Sequence, residues 1–288
     1  VKGKIVLITG GTNGIGKAAA LNIAKQGATV VIVGRNRAKT EATVSELKAA
    51  SGNQNVDMLV GDLSLMAEVR RVAAEFKQKY SALHVLLNNA GGVFDTRFET
   101  AEGLEMTFAL NHMSYFLLTE LLLDTLKASA PARIVSVASE AQVAGRLTFD
   151  DLQSQRSYGM GGFAAYALSK LLNIMFTYEL ARRLAGTGVT ANVLHPGPVA
   201  TGFGDNNKGL LMRIAMPIFK LTALKPEQGA DTAIYLATSA EVEGVTGNYW
   251  SKRKEIKSQP ASYNADHQRR LWDISAQIAG LTDPVSTP

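Results

Sequence analysis

The first sixteen residues constrain the fold more than any other stretch. Ile5-Val6-Leu7-Ile8 is a short apolar run rich in β-branched residues, and a strand is expected from Lys4 to Ile8. It runs directly into Thr9-Gly10-Gly11-Thr12-Asn13-Gly14-Ile15-Gly16, and a helical pattern follows through Gln26. Strand, glycine loop and helix in this order make a nucleotide site, whereas glycines alone make only a turn. The helix N-terminus offers free N–H groups and a positive dipole end to a pyrophosphate. Gly10 allows the turn, Gly14 allows backbone approach, and Gly16 allows close helix–strand packing. Thr12, Asn13 and Ile15 complete the loop against the ligand.

The pattern then repeats. Thr29 to Val33 reads as a second buried strand, followed by a charged helix from Ala38 to Ala50 and a strand at Val56 to Val60. Further strands are expected at Leu83–Leu87, Arg133–Val137 and Val189–Leu194, with a long apolar helix between Gly103 and Leu126. Helices recur at Tyr166 onward and at Gln228–Ser239, and a short last strand at Gly247–Trp250. Strands alternating with helices build a parallel sheet covered on both faces. The fold class expected is therefore α/β: a single-domain, Rossmann-type, doubly wound parallel sheet with helices on both faces, spanning 1–288.

Several strand ends carry chemistry. A site for NAD usually holds a carboxylate at the end of the second strand, to bind the ribose 2′-OH. Here Gly34-Arg35-Asn36-Arg37 offers no acid and two guanidinium groups, which suit a 2′-phosphate. NADP(H) is therefore expected over NAD(H). Asp62, with Leu63 beside it, has two compatible roles: accepting from an adenine amino group, or capping the next helix. Asn88-Asn89-Ala90-Gly91-Gly92 puts small residues where a ring can lie on backbone, and amides that can tie strand ends together. Asn111 is a poor mid-helix residue, so if buried it must be paired. Ser139, past the fifth strand, reads either as a turn former or as a hydroxyl facing the crevice. Tyr166 and Lys170 stand four apart on one helical face, where an ammonium is expected to lower the pKa of a neighbouring phenol.

Together these residues resemble the short-chain dehydrogenase/reductase family. The likeness runs through Thr9-Gly10-x-x-x-Gly14-Ile15-Gly16, Asn88-Asn89-Ala90-Gly91, Asn111, Ser139, Tyr166-x-x-x-Lys170 and Pro196-Gly197. A closer resemblance is to the retinol dehydrogenase branch, carried by Asn111-His112-x-x-x-Phe116-Leu117-Leu118-Thr119, the insert Gly145–Leu152, and Leu271-Trp272-Asp273. The resemblance implies a catalytic set of Asn111, Ser139, Tyr166 and Lys170, with Tyr166 as general acid/base and Asn111 fixing a water that feeds Lys170. It also implies cofactor contacts from Pro196, Gly197, Val199 and Thr201, and a substrate lid over about 202–225. The expected reaction is hydride transfer between NADP(H) and an apolar aldehyde, ketone or alcohol. Two rival functions share parts of the pattern: a non-catalytic NADP-binding redox sensor, and an epimerase or dehydratase with the Tyr-x-x-x-Lys pair.

Composition excludes other classes. There is no cysteine, so disulfides, thiolate metal sites and a cysteine nucleophile are out. The 30 basic residues are scattered among 25 acidic ones, for a net charge of +5, which argues against nucleic acid. His112 and His195 read as packing residues, and no metal site is expected. The branch's N-terminal membrane helix is not found, nor a signal pattern, so a soluble cytoplasmic enzyme is expected. Leu210 to Leu221 is apolar with spaced basic residues; a lid is favoured there over a membrane-contacting patch or oligomer packing. The segment from about 252 to 288 is read as a C-terminal extension that covers the outside or forms a homo-oligomer contact.

Overall fold

The computed structural model describes residues 1–198 and 224–281. Its centre is an eight-stranded sheet in the order β3-β2-β1-β4-β5-β6-β7-β8. The strands are β1 (Ile5–Thr9), β2 (Thr29–Gly34), β3 (Val56–Val60), β4 (Val85–Asn88), β5 (Ala132–Val137), β6 (Val189–Leu194), β7 (Tyr249–Ser251) and β8 (Lys254–Ile256). All pairs are parallel except β7–β8. The order reverses between β1 and β4, and such a switch point opens a crevice at the strands' carboxyl ends.

Side chains alternate across the sheet with period two. Leu7, Val31, Leu86 and Ile134 face one core, beneath α3 (Met66–Lys79), α5 (Ser114–Ala128) and α6 (Phe163–Arg183). Val6, Ile8, Val30, Ile32, Leu87 and Val135 face the other, beneath α1 (Gly14–Lys25), α2 (Arg37–Ser51) and α7 (Pro226–Thr238). Burial on both faces explains why β1 and β2 read as continuous apolar runs rather than alternating ones.

Two elements differ from the sequence reading. The long helix expected from Gly103 starts later, as α4 (Met106–Phe108), because the Glu105 carboxylate caps it, accepting from the N–H groups of Thr107 and Phe108 at 2.7 Å each. It then widens into a π turn over Ala109–Met113 before continuing as α5. Such single turns are frequent at functional sites, and this one holds Asn111. The C-terminal extension, read only as an outer cover or a subunit contact, also adds a strand that was not expected. It supplies the antiparallel strand β8 and the helix α8 (Ala265–Ile278), whose Trp272 ring stacks on Phe176 at 5.8 Å and meets Phe116 edge-on at 5.0 Å. No helix among the described residues is long and apolar enough to cross a membrane.

The β7–β8 turn was missed because it lacks the usual signal. Ser251 pairs with Lys254, so Lys252 and Arg253 alone make the turn, with φ of 50° and 59°. Two-residue hairpin turns of this kind favour Asn-Gly, since side chains other than Asn and Gly are strained at positive φ. Arg253 is held in place by a double ion pair to Asp231 and by its N–H, which donates to Thr232 Oγ1 at 3.1 Å. Lys252 is exposed. Replacing Lys252 with Asn should therefore stabilise the protein by about 0.5 kcal/mol, a fraction of the left-handed penalty. Urea unfolding of the two proteins checks this, and an unchanged or lower midpoint would count against strain at the turn.

Candidate active site

The crevice begins where β1 and β4 end. Thr9 Oγ1 accepts from the N–H groups of Asn89 and Ala90 at 2.8 and 2.9 Å. Asn89 Nδ2 donates back to the carbonyls of Thr9 and Gly10 at 2.8 and 3.2 Å. The asparagine thus ties the two strand ends together, as its amide suggested. Gly10 has φ of 66°, and a Cβ at Gly16 would stand 2.4 Å from the Gly10 carbonyl oxygen. Only glycines let α1 approach the loop so closely.

The α1 N-terminus is open. Gly14 begins the helix, Asn13 precedes it without a side-chain cap, and no acid sits in the first turn. Its N–H groups are therefore free of a competing side-chain acceptor, which suits an anion. Thr12 lies against the end of β2, where a Cβ on Gly34 would come 2.6 Å from its methyl carbon. Ile15 is half-buried and packs against the α1-side core.

At the end of β2, Arg35 and Arg37 are both about two-thirds exposed, at 68% and 70%. Asn36 caps α2, accepting from the Lys39 N–H at 2.9 Å. The first N–H groups of α3, at Met66 and Ala67, donate to the Glu102 carboxylate, so the helix cap expected of Asp62 is not made. Asp62 Oδ1 instead accepts from Ser64 N and Oγ at 3.1 and 2.7 Å, an Asx turn ahead of the helix. Its Oδ2 stands 3.9 Å from Arg35, a loose and exposed pair worth little by itself. Leu63 is buried beside it. Beyond β6, Gly197 has φ of 79° and donates to His195 Nδ1 at 3.3 Å, with Pro196 half-buried between them. Val199, Thr201 and most of the expected lid, 202–223, lie outside the described residues.

Four side chains converge at the ends of β4 and β5. Tyr166 is in the first turn of α6, and Lys170 is one turn further in; both are buried. Lys170 Nζ donates to the Val137 carbonyl at 2.9 Å and lies 5.7 Å from the Tyr166 ring centre. Ser139 follows β5. It performs both roles foreseen for it, accepting from Ala141 N at 3.2 Å to cap a 3₁₀ turn and hydrogen-bonding the Tyr166 phenol. Asn111 is fully buried and paired: Oδ1 accepts from Gly92 N, and Nδ2 donates to Gly92 O and Ser169 Oγ, each at 2.9 Å. A Cβ on Gly91 would lie 3.1 Å from Asn111 Oδ1 and 3.5 Å from Lys170 Nζ, so the glycine lets the two groups share one narrow space.

Three participants escaped the sequence reading: Gly92, Ser169 and the Val137 carbonyl. Ser169 had a visible signal, since it lies three residues after Tyr166 and one before Lys170; a backbone acceptor such as Val137 has none. The histidines behave as packing residues. His195 lies beside the Tyr249 ring at 5.6 Å, and His112 is enclosed by Phe108 and Phe176, where burial pushes its pKa down to about 3. No cluster of metal-ligating side chains occurs among the described residues.

Residues 4–150 match the family described as short chain dehydrogenase. Human retinol dehydrogenase 14 is 42% identical over 296 aligned residues, covering 97% of this chain and 87% of the relative. Human polyprenol dehydrogenase is also 42% identical, covering 97% of this chain and 86% of its own. Among solved structures, the Pseudomonas aeruginosa RhlG/NADP active-site complex superposes with a TM-score of 0.68 at 29% identity, covering 86% of this chain and 94% of its own.

The electrostatics correct one expectation. The ammonium was expected to lower the Tyr166 pKa. Burial instead raises it to about 12, with the Ser139 hydrogen bond pulling the other way. Burial also pushes Lys170 down to about 7 from its ordinary 10.5. Both groups resist charge because each lies in a dry interior, where burial disfavours the charged form. The lysine leaves a signature in stability. Below about pH 7 it is charged in both folded and unfolded chains, and the burial penalty is fully present. Between that value and 10.5 the unfolded chain binds more protons, so stability rises with pH. In Lys170→Met this rise should vanish, and the variant should be more stable than the parent near pH 6. Denaturant midpoints from about pH 6 to 9.5 read both effects, and parallel curves for the two proteins would contradict the assignment.

Proposed function

The chain belongs to the short-chain dehydrogenase family, and on that premise we propose that it is an NADP(H)-dependent oxidoreductase interconverting an apolar aldehyde or ketone and its alcohol. The observation that carries this reading is the meeting of Tyr166, Ser139, Lys170 and Asn111 at the same end of the sheet as the open N-terminus of α1.

A phosphorylated dinucleotide fits what the residues offer. The uncapped first turn of α1 would take the pyrophosphate, and the close packing at Gly10 and Gly16 leaves backbone rather than side chains facing it. Arg35 and Arg37 would hold a 2′-phosphate, with no acid in the first turn of α2 to repel it. The acids beside them are Glu41, 3.6 Å from Arg37, and Asp62, 3.9 Å from Arg35, both in loose, solvent-accessible pairs worth little that a phosphate would displace. The NADP named in the RhlG complex is in keeping with this choice.

The bound nicotinamide supplies or accepts the hydride. The chain's own groups handle the oxygen. Ser139 donates a hydrogen bond to the carbonyl oxygen as negative charge develops there. Tyr166 delivers the proton to that oxygen, or removes it when an alcohol is oxidised. A phenol held near 12 keeps its proton at neutral pH, so the reducing direction starts with the acid loaded. Lys170, placed by the Val137 carbonyl, provides the positive charge that the phenolate needs once the proton has gone.

Exposed apolar side chains beside Ser139 and Tyr166 support an apolar substrate. Phe98, Val143, Phe163 and Tyr263 are the exposed large apolar side chains among the described residues. Val143 is on the turn capped by Ser139, and Phe163 precedes Tyr166 by three residues. Burial of such surface against a hydrocarbon is favourable, at about 25 cal/mol per Å². The retinol and polyprenol dehydrogenases among the relatives are named for alcohols of that kind.

Two experiments test the reading. Tyr166→Phe should lower kcat by about 100-fold or more, the usual range for a lost acid/base, while NADPH still binds; undiminished turnover of an apolar aldehyde would end the proposal. Arg35→Asp combined with Arg37→Ala should weaken NADPH about tenfold or more, as expected for lost charge-assisted hydrogen bonds, and leave NADH nearly unaffected. Equal losses for both cofactors would rule out the 2′-phosphate role.

A further inference from the structure

Ser169 lies outside the four side chains assigned to catalysis, yet it joins two of them. Its Oγ donates to the Tyr166 carbonyl at 2.7 Å. A serine hydroxyl carries one hydrogen, so towards Asn111 this oxygen can only accept. Asn111 Nδ2 meets it at 2.9 Å. The other Nδ2 hydrogen goes to Gly92 O, and Gly92 N supplies Oδ1. Both amide hydrogens are then engaged, and Oδ1 keeps one lone pair. That oxygen and Lys170 Nζ both border the space at Gly91, 3.1 and 3.5 Å from where its Cβ would stand.

The contacts come from three separate pieces of chain. Gly92 follows β4, Asn111 belongs to the π turn, and Ser169 belongs to α6 with Tyr166 and Lys170. Gly92 fixes which way the amide faces, but it holds Asn111 only to the β4 loop. Ser169 is the contact that holds the amide to the helix bearing the acid/base pair.

We infer that Ser169 is a positioning residue, which fastens the Asn111 amide to α6 and so keeps its carbonyl end on the Lys170 side of the site. The effect on rate rests on the oxidoreductase reading above; the effect on the amide does not. Without the Ser169 oxygen, one Nδ2 hydrogen is left buried and unpaired, and the amide shifts to find an acceptor. The oxygen then no longer faces the ammonium steadily, and the charged form of Lys170 loses a favourable dipole.

The test uses the full chain with Ser169→Ala and Ser169→Thr. In Ser169→Ala, kcat should fall about tenfold, the scale of one buried polar group left unpaired, with KM for NADPH within about twofold. The high-pH limb of kcat should move to lower pH by about half a unit, since the lysine gives up its proton more readily. Ser169→Thr keeps the hydroxyl and should restore both. A second readout needs neither cofactor nor turnover: the Asn111 side-chain amide protons in ¹H–¹⁵N spectra should exchange about tenfold faster in Ser169→Ala than in the parent. Ser169→Ala with parental pH profile and parental Asn111 exchange would overturn the inference, even if its Tm fell. Should Tyr166→Phe keep its turnover while Asn111 exchange still responds to Ser169→Ala, the acid/base role of Tyr166 falls and the positioning role stands.

Discussion

A lysine amine held in the dry interior by a backbone carbonyl is the constraint around which the site is built. Lys170 is 3% exposed, and its Nζ donates to Val137 O at 2.9 Å. Keeping a chargeable group there is costly, and a fold tolerates it only where the surroundings are rigid enough to prevent its escape to water. The helix that carries it meets that demand. Seventeen residues of α6, from Ala165 to Ala181, are buried in succession, so no face of the helix over that span is open to solvent. A helix so enclosed cannot rotate to release Lys170, and the same enclosure keeps Tyr166 protonated.

Enclosure on that scale needs a neighbour on every side. The sheet and α5 supply two. The C-terminal helix α8 supplies another, with Trp272 stacked on Phe176 of α6 and the Arg183 guanidinium lying over the Trp272 ring at 4.2 Å. The same helix reaches the π turn through His112. Ser275 Oγ donates its one hydrogen to Leu271 O, so the His112 Nε2 at 2.9 Å must be the N–H that donates to it. With its pKa near 3, His112 is neutral and fixed in this tautomer. The residue after Asn111 is thereby tied to the outermost helix, and packing far from the crevice reaches the π turn through one side chain.

The opposite end of the crevice relies on backbone rather than packing. Thr9 and Asn89 stitch β1 to β4 where the strand order reverses, and the glycines bring α1 down onto that junction. These contacts are local to the strand ends, which is why they were visible in the sequence as a glycine pattern and an Asn-Asn pair. The charged corner at Arg35 and Arg37 is legible for a similar reason: the composition of a four-residue turn decides its charge, whatever the rest of the chain does.

By itself, then, the sequence determined the alternation of strands and helices, the glycine-led, acid-free start of α1, and the one-turn spacing of Tyr166 and Lys170. Each depends on neighbours within a few residues, and periodicity or glycine placement records them. Only the tertiary structure decided how those groups behave. The sequence placed an ammonium near a phenol and predicted a lowered pKa. The fold buried both, and desolvation reversed the sign. It likewise turned an awkward mid-helix asparagine into a π-turn residue paired with Gly92 and Ser169, and the C-terminal extension into a helix packed on α6. Those outcomes depend on which distant segments exclude water from a given atom, and no local pattern carries that information.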